Sequence, residues 1–226
     1  MEPHQLCDRP EWKSSQALRQ GKPGRSRANV VRRHQGNAIL GKMLAYVFWH
    51  WPQSSIDRTV YESDLLQFHQ TLAANKPAGF RFSVVYSMVG ARWLPTTTSV
   101  YEEWYLLDDS AAMDRINYAA VNGPCEEPHN RVARNADGGV GGLYRLRLGQ
   151  ENLIKDKHAT WLSKPPGMSY SAFDAKIQSV ISNQAATLWA RQMTLGPTTE
   201  FCLHSEAPLK LPAEFSGTTI SLTTLK

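Results

Sequence analysis

At 226 residues, with 42% hydrophobic and 20% charged side chains, the chain has the make-up of a soluble globular protein, long enough for one large domain or two small ones sharing a core. Its net charge of +5 does not describe a basic body: residues 1–42 carry nine basic and three acidic side chains, which leaves 16 basic against 17 acidic in the other 184. Ile39–Ile56, the longest weakly charged run, is broken by Lys42, His50 and Pro52 and so excludes a spanning helix, while Cys7, Cys125 and Cys202 are too few and too scattered for a disulfide framework or a CxxC metal site.

Residues 1–42 hold few apolar side chains, several glycines and prolines, and no periodicity, which predicts a disordered basic extension. A basic arm for nucleic acid or anionic lipid is one reading of it. Solvated chain ahead of a domain beginning at Met43 is the simpler one. Glu2, Asp8 and Glu11 fit a transit peptide poorly, and no apolar segment suits secretion, so a reducing, cytoplasmic location is expected. The nearly neutral remainder predicts no nucleic-acid surface outside the tail and no membrane contact. A homodimer stays open.

Met43–His50 (MLAYVFWH) is a continuous aromatic-rich apolar run, the pattern of a strand buried on both faces. Tyr61, Leu65, Phe68 and Leu72 make one helical stripe over 61–74, stopped by Pro77-Ala78-Gly79. Strands are expected at Phe82–Val89 and Ser99–Leu107, then a helix capped by Asp109 or Ser110 with Ala112, Met113, Ile116 and Ala120 inward. Residues 123–141 read as loop, because Pro124, Pro128 and the glycine-rich run from Asp137 are breakers. Leu143–Leu148 closes a β-α-β-β-α-β series. A second series follows with Ala159–Ser163, a helix from Ser169 with Phe173, Ile177 and Ile181 inward, strands at Ala186–Thr194 and Glu200–His204, and a Thr-rich strand at Thr218–Leu225. Between its last two strands stand Pro208 and Pro212, so this copy lacks its second helix. Both copies place a Pro-Thr-Thr turn between paired strands, at Pro95-Thr96-Thr97 and Pro197-Thr198-Thr199.

On that element order and the repeated turns, residues 43–226 resemble the dimeric α+β barrel superfamily in its tandem form. The resemblance implies two ferredoxin-like units in one chain, 43–150 and 151–226, forming an intrachain α+β barrel. Members of that superfamily include cofactor-free monooxygenases, isomerases, dehydratases and haem enzymes, with a pocket between the sheet and its covering helices. Haem-binding members carry a proximal histidine in the C-terminal half; here that half offers only His158 and His204, neither on a predicted helix, so no cofactor is expected.

No motif in the chain has catalytic specificity, and the candidates are side chains of suitable chemistry. His50 lies between Trp49 and Trp51 at the end of the first strand, where an apolar surround suits a general base; the alternative is a histidine packed in an aromatic cluster. Strand alternation puts Tyr46, Phe48 and His50 on one face and Val47, Trp49 and Trp51 on the other. Glu102 and Glu103 point to opposite faces of their strand. A buried carboxylate needs a partner, so each is either an acid–base group or an ion pair with Arg145, Arg147 or Arg191. His69, beside Phe68, could face a pocket, and Trp49, Trp51, Tyr86, Trp104, Trp189 and Arg191 are the other ligand-binding candidates. Cys202 and His204 share a face but form only half a metal site, and no metal is expected. The glycine run leads into a strand, not a helix N-terminus, and is rejected as a phosphate cradle. Two functions remain open. One is a cofactor-free enzyme (a monooxygenase, an isomerase or similar proton-transfer chemistry) acting on a small hydrophobic carbonyl or phenolic compound. The other is a non-catalytic module binding a hydrophobic ligand or a protein.

Overall fold

A computed structural model describes residues 43–95, 100–182 and 184–226. The basic extension at 1–42, and Thr96 and Thr97 of the first Pro-Thr-Thr turn, lie outside these described residues. Among the described residues are four α-helices and nine strands of one antiparallel sheet. In chain order the elements are β1 (Leu44–Pro52), α1 (Arg58–Asn75), β2 (Phe80–Met88), β3 (Val100–Leu107), α2 (Ser110–Ala120), α3 (Glu126–Asn135), β4 (Ala136–Leu148), β5 (His158–Leu162), α4 (Tyr170–Ile181), β6 (Ala186–Arg191), β7 (Phe201–Ser205), β8 (Gly217–Ser221) and β9 (Thr223–Thr224).

The helix starts follow from their caps. Asp57 accepts from the Thr59 and Val60 amides, Asp109 from Ala112, and Ser169 from Ala172, satisfying N–H groups that no earlier turn can serve. The stripe Tyr61, Leu65, Phe68 and Leu72 is buried as its spacing requires.

The expected loop over 123–141 is corrected. Residues Glu126–Asn135 are α3, and β4 begins at Ala136. Pro128 is the third residue of α3, where the missing N–H has no helical partner to lose, and Glu126, Glu127 and Arg134 complement the helix dipole. The glycines act as strand because aromatic side chains take the room that their own side chains would need. A Cβ at Gly138 would overlap the Trp51 ring, at Gly139 that of Phe48, at Gly141 that of Tyr46, and at Gly142 that of Tyr144. Rings lying over strand glycines replace the missing packing.

The sheet order is β8-β5-β7-β6-β4-β1-β3-β2-β9. The two outermost strands are joined in sequence by Leu222 alone. Its N–H donates to Lys157 O at 2.7 Å, and Leu225 N–H donates to Val85 O at 2.9 Å. The edges β8 and β9 therefore meet at Leu222, and the sheet closes on itself, which removes the free edges an open sheet would expose. The expected single strand over Thr218–Leu225 is thus two strands with a bend.

Strand alternation now assigns the faces. Val47 and Trp49 of β1, Tyr86, Trp104, Tyr144, Trp161, Trp189, Cys202 and Ile220 share one buried core inside the closed sheet. The outer face of β5, β6 and β7 is covered by α4 through Phe173, Ile177 and Ile181, with Leu209, Leu211 and Phe215 added from the segment before β8. Phe173 stacks on Phe201 at 4.4 Å. The outer face of β1, β3 and β4 is covered by α1, α2 and α3, and there the packing leaves a cavity.

Candidate functional site

The cavity, about 650 Å³, lies between the sheet and the three helices of the first half. Tyr46, Phe48 and His50 of β1, with Glu103 and Tyr105 of β3, form its floor; Tyr61 and Phe68 of α1, Ile116 and Asn117 of α2, and His129 and Val132 of α3 contribute to the walls. Its depth comes partly from β4. In the β1–β4 register His50 faces Gly139 and Phe48 faces Gly141, so two floor positions carry no side chain. Gly139→Val is expected to drive the Phe48 ring into the cavity, costing about 1–3 kcal/mol by overpacking and weakening binding of any cavity ligand. Urea midpoints and a ligand-binding assay would check the two effects.

Alternation sends Glu103 into this cavity and Glu102 into the barrel. Glu103 is 3% exposed and sits between two imidazoles. Its Oε1 is 2.7 Å from His50 Nε2, and its Oε2 is 3.6 Å from His69 Nε2. The His50 contact is a close charge contact with the ring N–H off the line of approach, not a well-aligned hydrogen bond. Tyr105 O–H donates to Glu103 Oε2. The other nitrogen of His50, Nδ1, is 2.6 Å from the Tyr61 hydroxyl, and His69 Nδ1 is 2.7 Å from Ser83 Oγ. Burial alone would raise the Glu103 carboxyl; the opposing pull of His50 and His69 wins, so it lies below the ordinary carboxylate range. Tyr61 and Tyr105 are pushed upward by burial and then by the Glu103 charge, and both stay neutral phenols able to donate.

Of the residues singled out from the sequence, the structure brings His50, Glu103 and His69 together at this cavity. Glu102, Trp49, Tyr86, Trp104 and Trp189 point to the other side of the sheet, into the barrel. Trp51 packs against that same core, and Arg191 donates to Gly196 O and Thr198 O at the end of β6. The expected arginine partners of the glutamates are replaced: Glu103 has its histidines, Glu102 accepts from Trp49 Nε1–H at 2.6 Å and Trp104 Nε1–H at 2.7 Å, and Arg147 pairs with Asp174 at 2.7 Å. Sequence reading missed Tyr61 and Tyr105 as functional groups, although the α1 stripe had marked Tyr61 as buried, and it missed α3 as a wall.

The barrel interior holds a second polar group. His204 Nε2 is 3.8 Å from Glu102 Oε1 and His204 Nδ1 is 3.8 Å from Asp156 Oδ2, too long for hydrogen bonds. Burial, with the Glu151 and Glu206 charges added, pushes Asp156 up to about 7; burial pushes Glu102 up to about 7 and His204 down to about 3. Cys202 shares this face and its thiol is raised by burial. No group of three His, Cys, Asp or Glu among the described residues is placed to hold a metal ion. Neither oxygen of Asp156 has a hydrogen-bond partner. A carboxyl raised from 3.8 to about 7 makes the folded chain hold a proton that the unfolded chain has released, so stability falls as pH rises across that window. Asp156→Asn should therefore be more stable than the parent at about pH 8, by roughly 1–3 kcal/mol, and flatter between the two pKa values. Urea midpoints against pH would show it.

No protein-family model matches the sequence, and no curated protein matches it. Solved structures do match in fold. A candidate monooxygenase from Fusobacterium nucleatum subsp. nucleatum superposes with a TM-score of 0.56 at 8% identity, covering 82% of this chain and 94% of that one. A second candidate monooxygenase, from Lactobacillus acidophilus, gives 0.52 at 8% identity, covering 82% and 95%. At such identity what is shared is architecture. What this chain shares with the two is the fold.

Proposed function

We propose that the chain is a cofactor-free enzyme that moves a proton on a small apolar carbonyl or phenolic compound bound in the 650 Å³ cavity. The observation that carries this is the line Tyr61–His50–Glu103, with steps of 2.6 and 2.7 Å, opening into an aromatic-walled space beneath three helices. In this reading Glu103, ionised, holds the His50 ring and stabilises positive charge on it. His50 is the base and works through the Tyr61 hydroxyl, which takes the substrate proton as it passes its own to Nδ1. An ionised phenol or carbon acid left in the cavity is electron-rich. It is reprotonated at another carbon in an isomerisation, or it reacts with O2 as co-substrate in an oxygenation. The fold shared with two candidate monooxygenases supports the second course. His69 is a positioning residue on the second oxygen of Glu103.

The same reading takes residues 43–150 and 151–226 as two ferredoxin-like units. Its support is that the sheet order β4-β1-β3-β2 recurs as β8-β5-β7-β6, and that no helix lies between β7 and β8. A binding module for a hydrophobic ligand is the alternative, favoured by the engagement of both His50 nitrogens within the network. The deciding experiment is a panel of phenols and enolisable ketones offered to the parent protein and to His50→Gln. O2 uptake and loss of deuterium from the acidic carbon are both followed. Turnover by the parent that His50→Gln loses supports the enzyme; saturable binding with neither signal supports the module.

A further inference from the structure

The Glu103 network does not end at the cavity. Beyond the carboxylate it continues beneath α1 through His69, whose Nε2 is 3.6 Å from Glu103 Oε2 and 3.4 Å from the Tyr105 hydroxyl, to Ser83 Oγ at 2.7 Å from His69 Nδ1. His50, Glu103, Tyr105 and His69 are all buried, whereas Ser83 on β2 is only partly so. The register explains why these groups line up. Ser83 stands opposite Tyr105 and Val85 opposite Glu103, so Ser83, Tyr105 and Glu103 occupy one outer face, with His69 of α1 laid across it; His69 stacks on Tyr105 at 5.2 Å.

A buried base must still equilibrate its proton with water, and a ligand in the cavity blocks the direct way. We propose that His50 exchanges its proton with solvent through Glu103, His69 and Ser83, a relay running away from the cavity and emerging at β2. The proposal rests on His50 serving as the base. A carboxylate with an imidazole on each oxygen gives one extra proton two homes, His50 and His69. A small turn of the His50 ring brings its Nε2–H into line with Glu103 Oε1, 2.7 Å away, and passes the proton across; the protonated carboxyl then leaves its Tyr105 bond and turns to close the 3.6 Å gap to His69 Nε2, delivering the proton there. His69 Nδ1–H then passes its own proton to Ser83 and on to water. One proton enters at Tyr61 and one leaves at Ser83, with no bond to carbon formed or broken; the protons left on His50 Nδ1 and His69 Nε2 then shift back through the same contacts or by ring rotation, restoring the starting tautomers. The Tyr105 hydroxyl, donating to Glu103 Oε2, holds the ionised carboxylate between the rings at rest and takes it back once the proton has moved on.

The relay can be tested without a substrate. In full-length protein labelled with 15N-histidine, the ring N–H of His50 is identified by its loss in His50→Gln, and its exchange with water is measured by NMR. Ser83→Ala and His69→Gln should each slow that exchange, on the order of 10²-fold for the removed imidazole, and Ser83→Thr should restore the parent rate. Ser83→Ala deletes only a partly exposed hydroxyl, and an unmoved His50 resonance verifies that the site is intact. Unchanged exchange in both variants overturns the relay, and slowing in His69→Gln alone overturns Ser83 as its exit. Failure of the base reading shows elsewhere, as turnover retained in His50→Gln.

Discussion

Glu103→Leu is expected to lose about 3–5 kcal/mol of stability, the usual cost of breaking a buried charged network by removing one partner. Glu103 lies on the covered outer face of β3, and its removal takes a partner from His50, His69 and Tyr105 at once. Glu103→Gln keeps the size and one acceptor and should lose about 1–2 kcal/mol. The two differ from the parent in acid as well. The Glu103 carboxyl is lowered in the fold from an ordinary value of 4.5, so as pH falls below that value the unfolded chain takes up a proton that the folded chain resists. Its contribution is complete above pH 4.5 and drains away below it. Parent protein should therefore show a steeper acid limb than Glu103→Gln. Urea midpoints measured across that range would decide, and parallel curves would mean the carboxylate does not interact with its imidazoles as the distances indicate.

His50→Gln should fold and lose turnover by a factor on the order of 10²–10⁴, the usual worth of a positioned base. The amide nearly matches imidazole in reach and can still accept from Tyr61, so the network survives at a cost of about 1–2 kcal/mol, yet it cannot take up a proton at neutral pH. Tyr61→Phe should lose rate with smaller effect on binding, since the ring that lines the cavity is kept. If both variants turn over substrate as the parent does, the chemistry lies elsewhere. If His50→Gln unfolds, the ring is a packing element, and its stacks on Phe48 and Tyr101 at 5.5 Å each are then its role.

Much of the architecture was legible in the sequence because local rules decided it. The buried run of β1, the strand at β3, the α1 stripe and the helix starts at Asp109 or Ser110 and at Ser169 follow from hydrophobic period and from unpaired backbone N–H groups. The two faces of β1 and the opposition of Glu102 to Glu103 follow from the two-residue period of a strand. Where the reading failed, a long-range partner had changed the meaning of a local signal. Gly138, Gly139 and Gly141 read as a loop until the rings of β1, about 90 residues earlier, are laid over them. Pro128 reads as a breaker unless α3 is known to start at Glu126. Period two says that Glu102 and Glu103 part company, but only closure of the sheet at Leu222 determines which face becomes barrel interior and which is roofed by helices. That choice sent Trp49, Trp104 and Glu102 to one side and His50, Glu103 and Tyr105 to the other. The residues of the Glu103 network come from β1, α1, β2 and β3, and no spacing along the chain relates His50 to His69 or to Ser83. The sequence by itself determined which side chains each element could offer to a face. Which of them meet was decided by tertiary packing, because cavity and network form only where separate elements converge.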